Sequence, residues 1–321
     1  MYLSFTTMRH KSKQDFSFLD MPSIVTFIVH GQIKRKRKLI LTIDDIFGKG
    51  FIVKIKQTSE SHRAGWLTTE AIAEGTDYLV AVGGDGTVNE VVNAHLDSGK
   101  NMEILIGIIP LGRGNDFVKS LGIQKNMKSL LKAVQNNSFT SVDVGWLTFY
   151  DANKMAINRY FINIADIGLG GLATQMIRTS PKYLGPNISY AWAIFKSLLN
   201  YKSQKVKITT PEWSYEGEIM SACMANGKYF GSGLCIAPDA KIDDGIAEIV
   251  LIGNVGIWDY LSKIPLLKKG KKINHPEVYY KKAMTCMIES QTQMPIDIDG
   301  EFVGYTPLKM VMKQKMVKIL V

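Results

Sequence analysis

The chain has 321 residues, 46% hydrophobic and 21% charged, and its 39 Lys and Arg against 29 Asp and Glu give a formal net charge of +10. That apolar content excludes intrinsic disorder and low complexity, and the length suits two domains with a core each. The positive balance favours an anionic partner, whether nucleotide phosphate, an anionic membrane or nucleic acid. No stretch approaches the roughly 18 uninterrupted apolar residues of a membrane span, and the best candidate, Ile246–Leu267, is broken by Glu248, Asp259 and Lys263. Cys223, Cys235 and Cys286 lack paired spacing and His neighbours. This argues against disulfide scaffolds and zinc ribbons and fits a reducing, cytoplasmic compartment. Residues 1–22 are polar, without a signal-peptide core, and read as a poorly ordered extension, with Met21 an alternative start.

From Ser23 the apolar pattern alternates between strand and helix. Ile24–Val29, Phe51–Lys56, Asp77–Val82 and Ile104–Ile109 read as buried strands, with helix around Thr69–Glu74 and over Thr87–His95. The alternation predicts a doubly wound, mostly parallel α/β sheet over residues 23–140, with ligand beyond the carboxyl ends of the strands. After about Ser138 the chain turns β-rich. Strands are expected at Ser141–Phe149, Arg159–Ile164, Lys205–Thr210, Glu216–Ala225, Ala247–Ile252, Met284–Glu289 and Lys309–Val321. Helical stretches fall at Ile188–Asn200 and Ile257–Leu267. The second domain is therefore residues 141–321, β-rich and sandwich-like, with a C-terminal tail that packs back on the first.

Two glycine-rich turns lie at strand ends. In the first, Gly83, Gly84 and Gly86 surround Asp85 and lead through Thr87, Val88, Asn89 and Glu90 into a helix. Such a turn brings backbone amides and a helix N-terminus to phosphate oxygens. Asp85 repels phosphate by itself but makes sense beside Mg²⁺. A plainer reading is a Thr87/Glu90 capping box. The second, Pro110-Leu111-Gly112-Arg113-Gly114-Asn115-Asp116-Phe117, offers Arg113 to phosphates and Asp116 to a metal–water network. Further on, Asp297, Asp299 and Glu301 stand at i, i+2 and i+4 around Gly300. The plain reading is an Asp-Gly hairpin turn; clustered acids near a phosphate site also suit a general base with metal ligation. Gly168-Leu169-Gly170-Gly171-Leu172-Ala173 matches the dinucleotide fingerprint in letters, but no acid follows at about 20 residues and the context is β-rich.

In order and spacing, Gly83–Glu90, Pro110–Phe117 and Asp299-Gly300-Glu301 resemble the diacylglycerol kinase catalytic-domain family, and in particular its soluble bacterial lipid kinases. The resemblance runs from about Ser23 to the C-terminus. It implies an α/β nucleotide-binding domain, then a β-rich domain, with the active site in the cleft between them. It also implies ATP binding through Gly83, Gly84, Asp85, Gly86, Thr87, Val88 and Asn89, with Thr58 and Arg113 as further contacts. Glu301 would accept the proton of a lipid hydroxyl, with Asp299 as partner or rival; Asp85 and Asp116 complete the catalytic set. A structural Mg²⁺ would sit on the Asp244 side chain and the backbone carbonyls of Lys241 and Ile246. The family's Asn-Pro turn after the first strand is replaced here by His30-Gly31 and the basic run Lys34–Lys38.

The expected activity is ATP-dependent phosphorylation of a diacylglycerol-like lipid by a cytoplasmic, peripherally membrane-associated enzyme. Ile257–Leu267 would offer apolar surface to the lipid, and Lys34–Lys38 and Lys268–Lys272 would meet an anionic bilayer. Alternatives are an NAD-kinase-like small-molecule kinase and an inactive nucleotide- or lipid-binding protein. Nucleic acid is not expected as a partner, because no aromatics interleave the basic runs. The identity of the lipid and the oligomeric state, a homodimer included, stay open.

Overall fold

The computed structural model describes residues 22–60, 63–100, 103–123, 126–179, 196–199 and 201–321. The extension expected before Ser23 and most of the helix expected at Ile188–Asn200 lie outside these residues.

Four parallel strands build the first sheet in the order β2 (Ile52–Gln57), β1 (Ile24–Val29), β3 (Tyr78–Gly83), β4 (Leu105–Pro110). Their alternate residues feed two different cores, which is why β1, β3 and β4 read as unbroken apolar runs. Phe27, Val80 and Val82 pack with Ile43 and Phe47 of α1 (Lys36–Phe47) and Leu130 and Val134 of α5 (Met127–Gln135). Ile28, Leu79 and Ala81 face the other way. They meet Leu67 of α2 (Ala64–Ala73), Val88 and Val91 of α3 (Asp85–Asp97) and Phe117 of α4 (Asp116–Leu121). The sheet is thus wound on both faces, as its sequence pattern predicts.

The β-rich half contains β5 (Phe139–Tyr150), β6 (Ala156–Phe161), β7 (Ile164–Gly168), α6 (Leu169–Thr179), β8 (Gln204–Thr209), β9 (Ser214–Ile219), β10 (Ser221–Ala225), β11 (Tyr229–Phe230), β12 (Leu234–Cys235), β13 (Ala247–Ile252), α7 (Ile257–Lys268), β14 (Val278–Ala283), β15 (Thr285–Ser290), β16 (Pro295–Ile298) and β17 (Glu301–Leu320). Strands β14, β13, β10, β7, β16 and β17 form one path. The path continues into the parallel sheet, because Ile319 of β17 pairs with Ile106 of β4. The last strand therefore hydrogen-bonds to both halves, and β5 runs antiparallel along it.

One sequence expectation changes here and one is borne out. Glu216–Ala225 is two strands, not one. Strand β9 pairs with β8, whereas β10 pairs with β7 and β13 and is buried on both faces. The break falls at Met220, whose amide turns to the Ile252 carbonyl. The dinucleotide-like stretch forms the β7–α6 turn, with Gly168 at φ +96°. A Cβ on Gly171 would collide with the Pro295 carbonyl, and one on Gly170 with Asp166. These glycines bring α6 down onto the sheet, which explains the fingerprint by packing alone. Among the described residues no helix is long and apolar enough to cross a membrane.

Candidate active site

The loops after β1, β3 and β4 gather at the carboxyl ends of the parallel strands. The amides of Leu111 and Gly112 both donate to the Gly83 carbonyl, at 2.8 and 3.0 Å, which lays the second glycine turn on the first. Their approach is so close that a Cβ on Gly84 would stand 3.1 Å from Gly112 Cα. Part of the glycine requirement therefore comes from loop against loop. Gly83 is crossed by the Thr87 side chain, and Gly86 faces the site, with only Glu301 Oε1 within reach, 3.3 Å from a built Cβ.

The capping-box reading of Thr87 and Glu90 does not hold. Gly84 is the N-cap of α3 and no side chain caps it. Glu90 instead takes Arg63 Nη2 at 2.7 Å and the Gly65 amide at 3.2 Å, which ties α3 to α2. The first-turn amides of α3 are thereby left without a side-chain cap, the arrangement that holds anions. Behind them, Thr58 Oγ1 accepts the Gly31 amide at 2.8 Å and fixes the loop after β1. Lys34–Lys38 leads from that loop into α1, so this basic run belongs to the strand-end side of the sheet. Arg113 is exposed at the same end. Val88 and Asn89 point away from it: Val88 is in the core, and Asn89 is fully buried.

Asn89 joins the two halves. Its Nδ2 donates to Asp299 Oδ2 at 2.7 Å, and its Oδ1 accepts from Arg159 Nη2 at 2.6 Å. Asp299 also takes the amides of Ile162, Asn163 and Ile164 at 2.9–3.0 Å. With four donors on two oxygens, this buried carboxylate acts as a staple between α3 and the β6–β7 junction. The Asp-Gly hairpin reading holds, and Asp297 and Asp299 do not share a strand face. Ile298 pairs directly with Glu301, so Asp299 (φ +50°) and Gly300 (φ +91°) form the two-residue turn between β16 and β17.

Glu301 lies just past that turn, partly exposed, with Oε2 2.9 Å from Arg159 Nη2 and Oε1 3.8 Å from Arg63 Nη2. Asp85 opens α3 and accepts the Phe117 amide at a long 3.3 Å and, with a smaller effect, the Asp116 amide. Burial, then the nearby Asp116 and Asp299, raise its carboxyl to about 6. Asp116 is more fully engaged, by Lys119 Nζ at 2.8 Å and the Ser232 amide at 2.8 Å. Sequence reasoning missed Arg63, Arg159 and Lys119. Lys119 follows Asp116 by one helical turn and was legible as an i, i+3 pair; the two arginines belong to no motif and are recruited by the fold.

Among the described residues no three His, Cys, Asp or Glu converge as a closed metal cage. Asp85 nevertheless suits a cation. It is a hard oxygen donor with little hydrogen bonding and two acidic neighbours, and Mg²⁺ commonly takes one or two carboxylates plus phosphate oxygens. At the second expected site, Asp244 Oδ1 accepts the Ile246 amide at 3.1 Å, and Asp143 anchors the same loop through Gly245. One remaining carboxylate oxygen with the Lys241 and Ile246 carbonyls is also a hard-oxygen set.

From Asp85, Asp116 and Gly300 a cavity of about 360 Å³ runs under α6 and α7. Its far walls are Leu169, Ala173 and Ile177 of α6, Phe230 and Leu234 of the β11–β12 ribbon, and Tyr260 and Ile264 of α7. The Asp85–Asp116 corner and the apolar walls of α6, α7 and the β11–β12 ribbon are thus parts of one space.

Residues 25–147 match the diacylglycerol kinase catalytic domain, and residues 164–321 match the YegS C-terminal NAD kinase beta sandwich-like domain. A diacylglycerol kinase of Staphylococcus saprophyticus is 30% identical over 77% of this chain and 78% of its own length. A crystal structure of a diacylglycerol kinase from Bacillus anthracis superposes with TM-score 0.67 at 23% identity, covering 93% of this chain and 96% of that one. Yeast NADH kinase shares the fold more distantly, with TM-score 0.52 at 9% identity over 94% of this chain and 83% of its own. Its likeness is one of fold alone. On the strength of the matched domains and the staphylococcal relative, the chain belongs to the diacylglycerol kinase family.

Proposed function

We propose that this protein transfers the terminal phosphoryl group of ATP to the hydroxyl of a diacylglycerol-like lipid drawn from a membrane surface. The observation that carries the reading is the continuity of the Asp85–Asp116 corner with an apolar tunnel. Beyond an inner wall that carries Asp166, Ser221 and Asp297, the lining of Leu169, Ala173, Ile177, Phe230 and Ile264 is apolar and suits an acyl chain better than a base and ribose. This favours a lipid over the NAD-kinase-like alternative, and the placement of Asp85 and Glu301 favours catalysis over a purely binding role.

ATP phosphates fit the uncapped N-terminus of α3 and the loops held by Thr58 and Gly112, with Arg113 and the Lys34–Lys38 run supplying positive charge. Asp85, seconded by Asp116, would hold Mg²⁺, which when bound neutralises phosphate charge. Glu301 takes the proton of the acceptor hydroxyl, since its carboxylate is exposed to the cleft while the oxygens of Asp299 are engaged. Arg159 and Arg63 orient Glu301. The test is phosphate transfer from labelled ATP to a panel of lipids in mixed micelles, with NAD as the competing acceptor. Turnover of NAD but of no lipid would overturn the reading.

Helix α7 would dock on the membrane. Its Tyr260 and Ile264 line the tunnel, its Trp258 is 84% exposed, and Lys268, Lys269 and Lys271 stand exposed at its end. Lys272 contributes less, because it pairs with Asp239. A Trp beside a basic cluster suits the interface of an anionic bilayer, at about 1 kcal/mol per basic residue. Trp258→Ala and Lys268→Glu should each reduce cosedimentation with anionic vesicles, and salt should weaken wild-type binding. Equal binding to neutral and anionic vesicles would remove α7 from this role.

A further inference from the structure

The inner wall of the tunnel holds two carboxyls that phosphoryl transfer does not use. Asp166 on β7 and Asp297 on β16 are register partners across an antiparallel pair, and both are buried and line the cavity. Their hydrogen bonding is unequal. Asp166 accepts from the Ser221 hydroxyl, from Cys223 Sγ at 3.2 Å and from the amides of Ile167 and Gly170. Asp297 Oδ1 accepts one donor, the Gly300 amide at 3.0 Å. Asp297 Oδ2 is buried with none. The Thr174 hydroxyl lies beside the Asp297 carboxyl, but it is turned to the carbonyls of Gly170 and Gly171 at 3.1 and 3.0 Å.

Two neighbouring buried carboxyls do not both ionise readily, and the proton settles on the one with fewer donors. That is Asp297, and Oδ2 is the oxygen free to carry it. The other titratable groups around the pair, Asp299, Cys223 and Tyr201, are also acids, so no cation offsets the pair. Burial acts in the same direction and raises Asp166 to about 6 and Asp297 to about 8. A carboxyl O–H at Oδ2 thus lines the tunnel without a hydrogen-bond partner on that oxygen. Such a donor selects a ligand acceptor, and a ligand lacking one leaves it unpaired.

We infer that the Asp297 carboxyl donates from Oδ2 to the ester carbonyl next to the reacting hydroxyl, which makes it the residue that reads acyl esters in the acceptor lipid. Asp297 and Gly300 line the same cavity as Asp85 and Asp116, and Glu301 follows directly on Gly300. An acceptor whose hydroxyl reaches Glu301 therefore carries its next functional group past Asp297, and its chains continue between α6 and α7. The inference rests on the lipid-kinase reading and adds to it the chemistry by which the pocket chooses among lipids.

The experiment compares dioctanoylglycerol with a matched acceptor in which the ester beside the free hydroxyl is an ether. Both are presented to the purified protein in the same micelles. Two quantities are read: kcat/KM for phosphorylation and the shift in melting temperature. The wild type should favour the ester by about tenfold. Asp297→Asn, whose amide still donates, should keep a preference for the ester; Asp297→Ala should bring the two acceptors within about twofold. Because both lipids are measured on the same variant, a loss of stability cancels from the ratio. Equal use of ester and ether by the wild type would overturn the inference, as would an ester preference that survives in Asp297→Ala. A long-chain amino alcohol that outcompetes dioctanoylglycerol in the wild type and loses its advantage in Asp297→Asn would also overturn it, since the pair would then be reading a cation. If no lipid is phosphorylated the kinase reading fails, while the melting shifts still report ester against ether.

Discussion

Replacing Glu301 by Gln is expected to lower turnover by roughly 10²–10⁴ while leaving nucleotide-induced stabilisation near that of the wild type. Gln keeps the size of the side chain and can still accept from Arg159, but it cannot take the hydroxyl proton. Asp299→Asn should behave differently. Asp299 receives Asn89 Nδ2 and three backbone amides on its two oxygens, so one NH₂ group placed there confronts donors with a donor. The expected result is a loss of about 1–3 kcal/mol in stability, seen as a lower melting temperature, with any fall in activity following from the displaced α3 and β6–β7 junction. Kinetics and calorimetry on both variants separate the roles. An Asp299→Asn protein that melts like the wild type and is inactive, beside a Glu301→Gln protein that turns over normally, would reverse the assignment of the base.

Asp85→Asn carries the second large effect, and here activity and stability should move in opposite directions. Transfer should fall by roughly 10³-fold or more, because the carboxylate best suited to Mg²⁺ is gone. In the ligand-free protein the same carboxyl is raised from 3.8 to about 6 by burial and by Asp116 and Asp299. A carboxyl raised in the folded state holds its proton more tightly there than in the unfolded chain. Its contribution therefore favours the fold at low pH and is lost as pH rises through that interval. Asn removes this penalty. With a chelator present, the variant should melt above the wild type at pH 8 and by a smaller margin at pH 5. A variant that melts lower than wild type at pH 8 would show that the Phe117 amide bond, and not charge burial, dominates at this position.

Strands β13 at Ala247–Ile252 and β1 at Ile24–Val29 match their sequence-predicted bounds, because both are rich in aliphatic and β-branched residues and are bounded by turn residues. Helix α1 was overlooked beneath its basic residues, although Leu39, Ile43, Ile46 and Phe47 carry a helical spacing of apolar side chains. Within the site, the glycine turns and the acids Asp85, Asp116 and Glu301 are readable because each lies in a short contiguous motif. Arg159, which contacts both Asn89 and Glu301, is not readable, since its partners lie 70 and 142 residues away along the chain.

By itself, then, the sequence determined the doubly wound α/β start, the β-rich second half and the glycine-rich turns at the strand ends. All of these follow from local periodicity and from the backbone freedom of glycine at strand ends. The tertiary structure decided which acids are available for chemistry. Asp297, Asp299 and Glu301 are indistinguishable in a row of residues, yet one is buried with a bare oxygen, one is held by four donors and one faces the cleft between two arginines. The character of a carboxylate is set by burial and by the donors around it, and those donors arrive from α3, β6 and β7 only when the chain has folded.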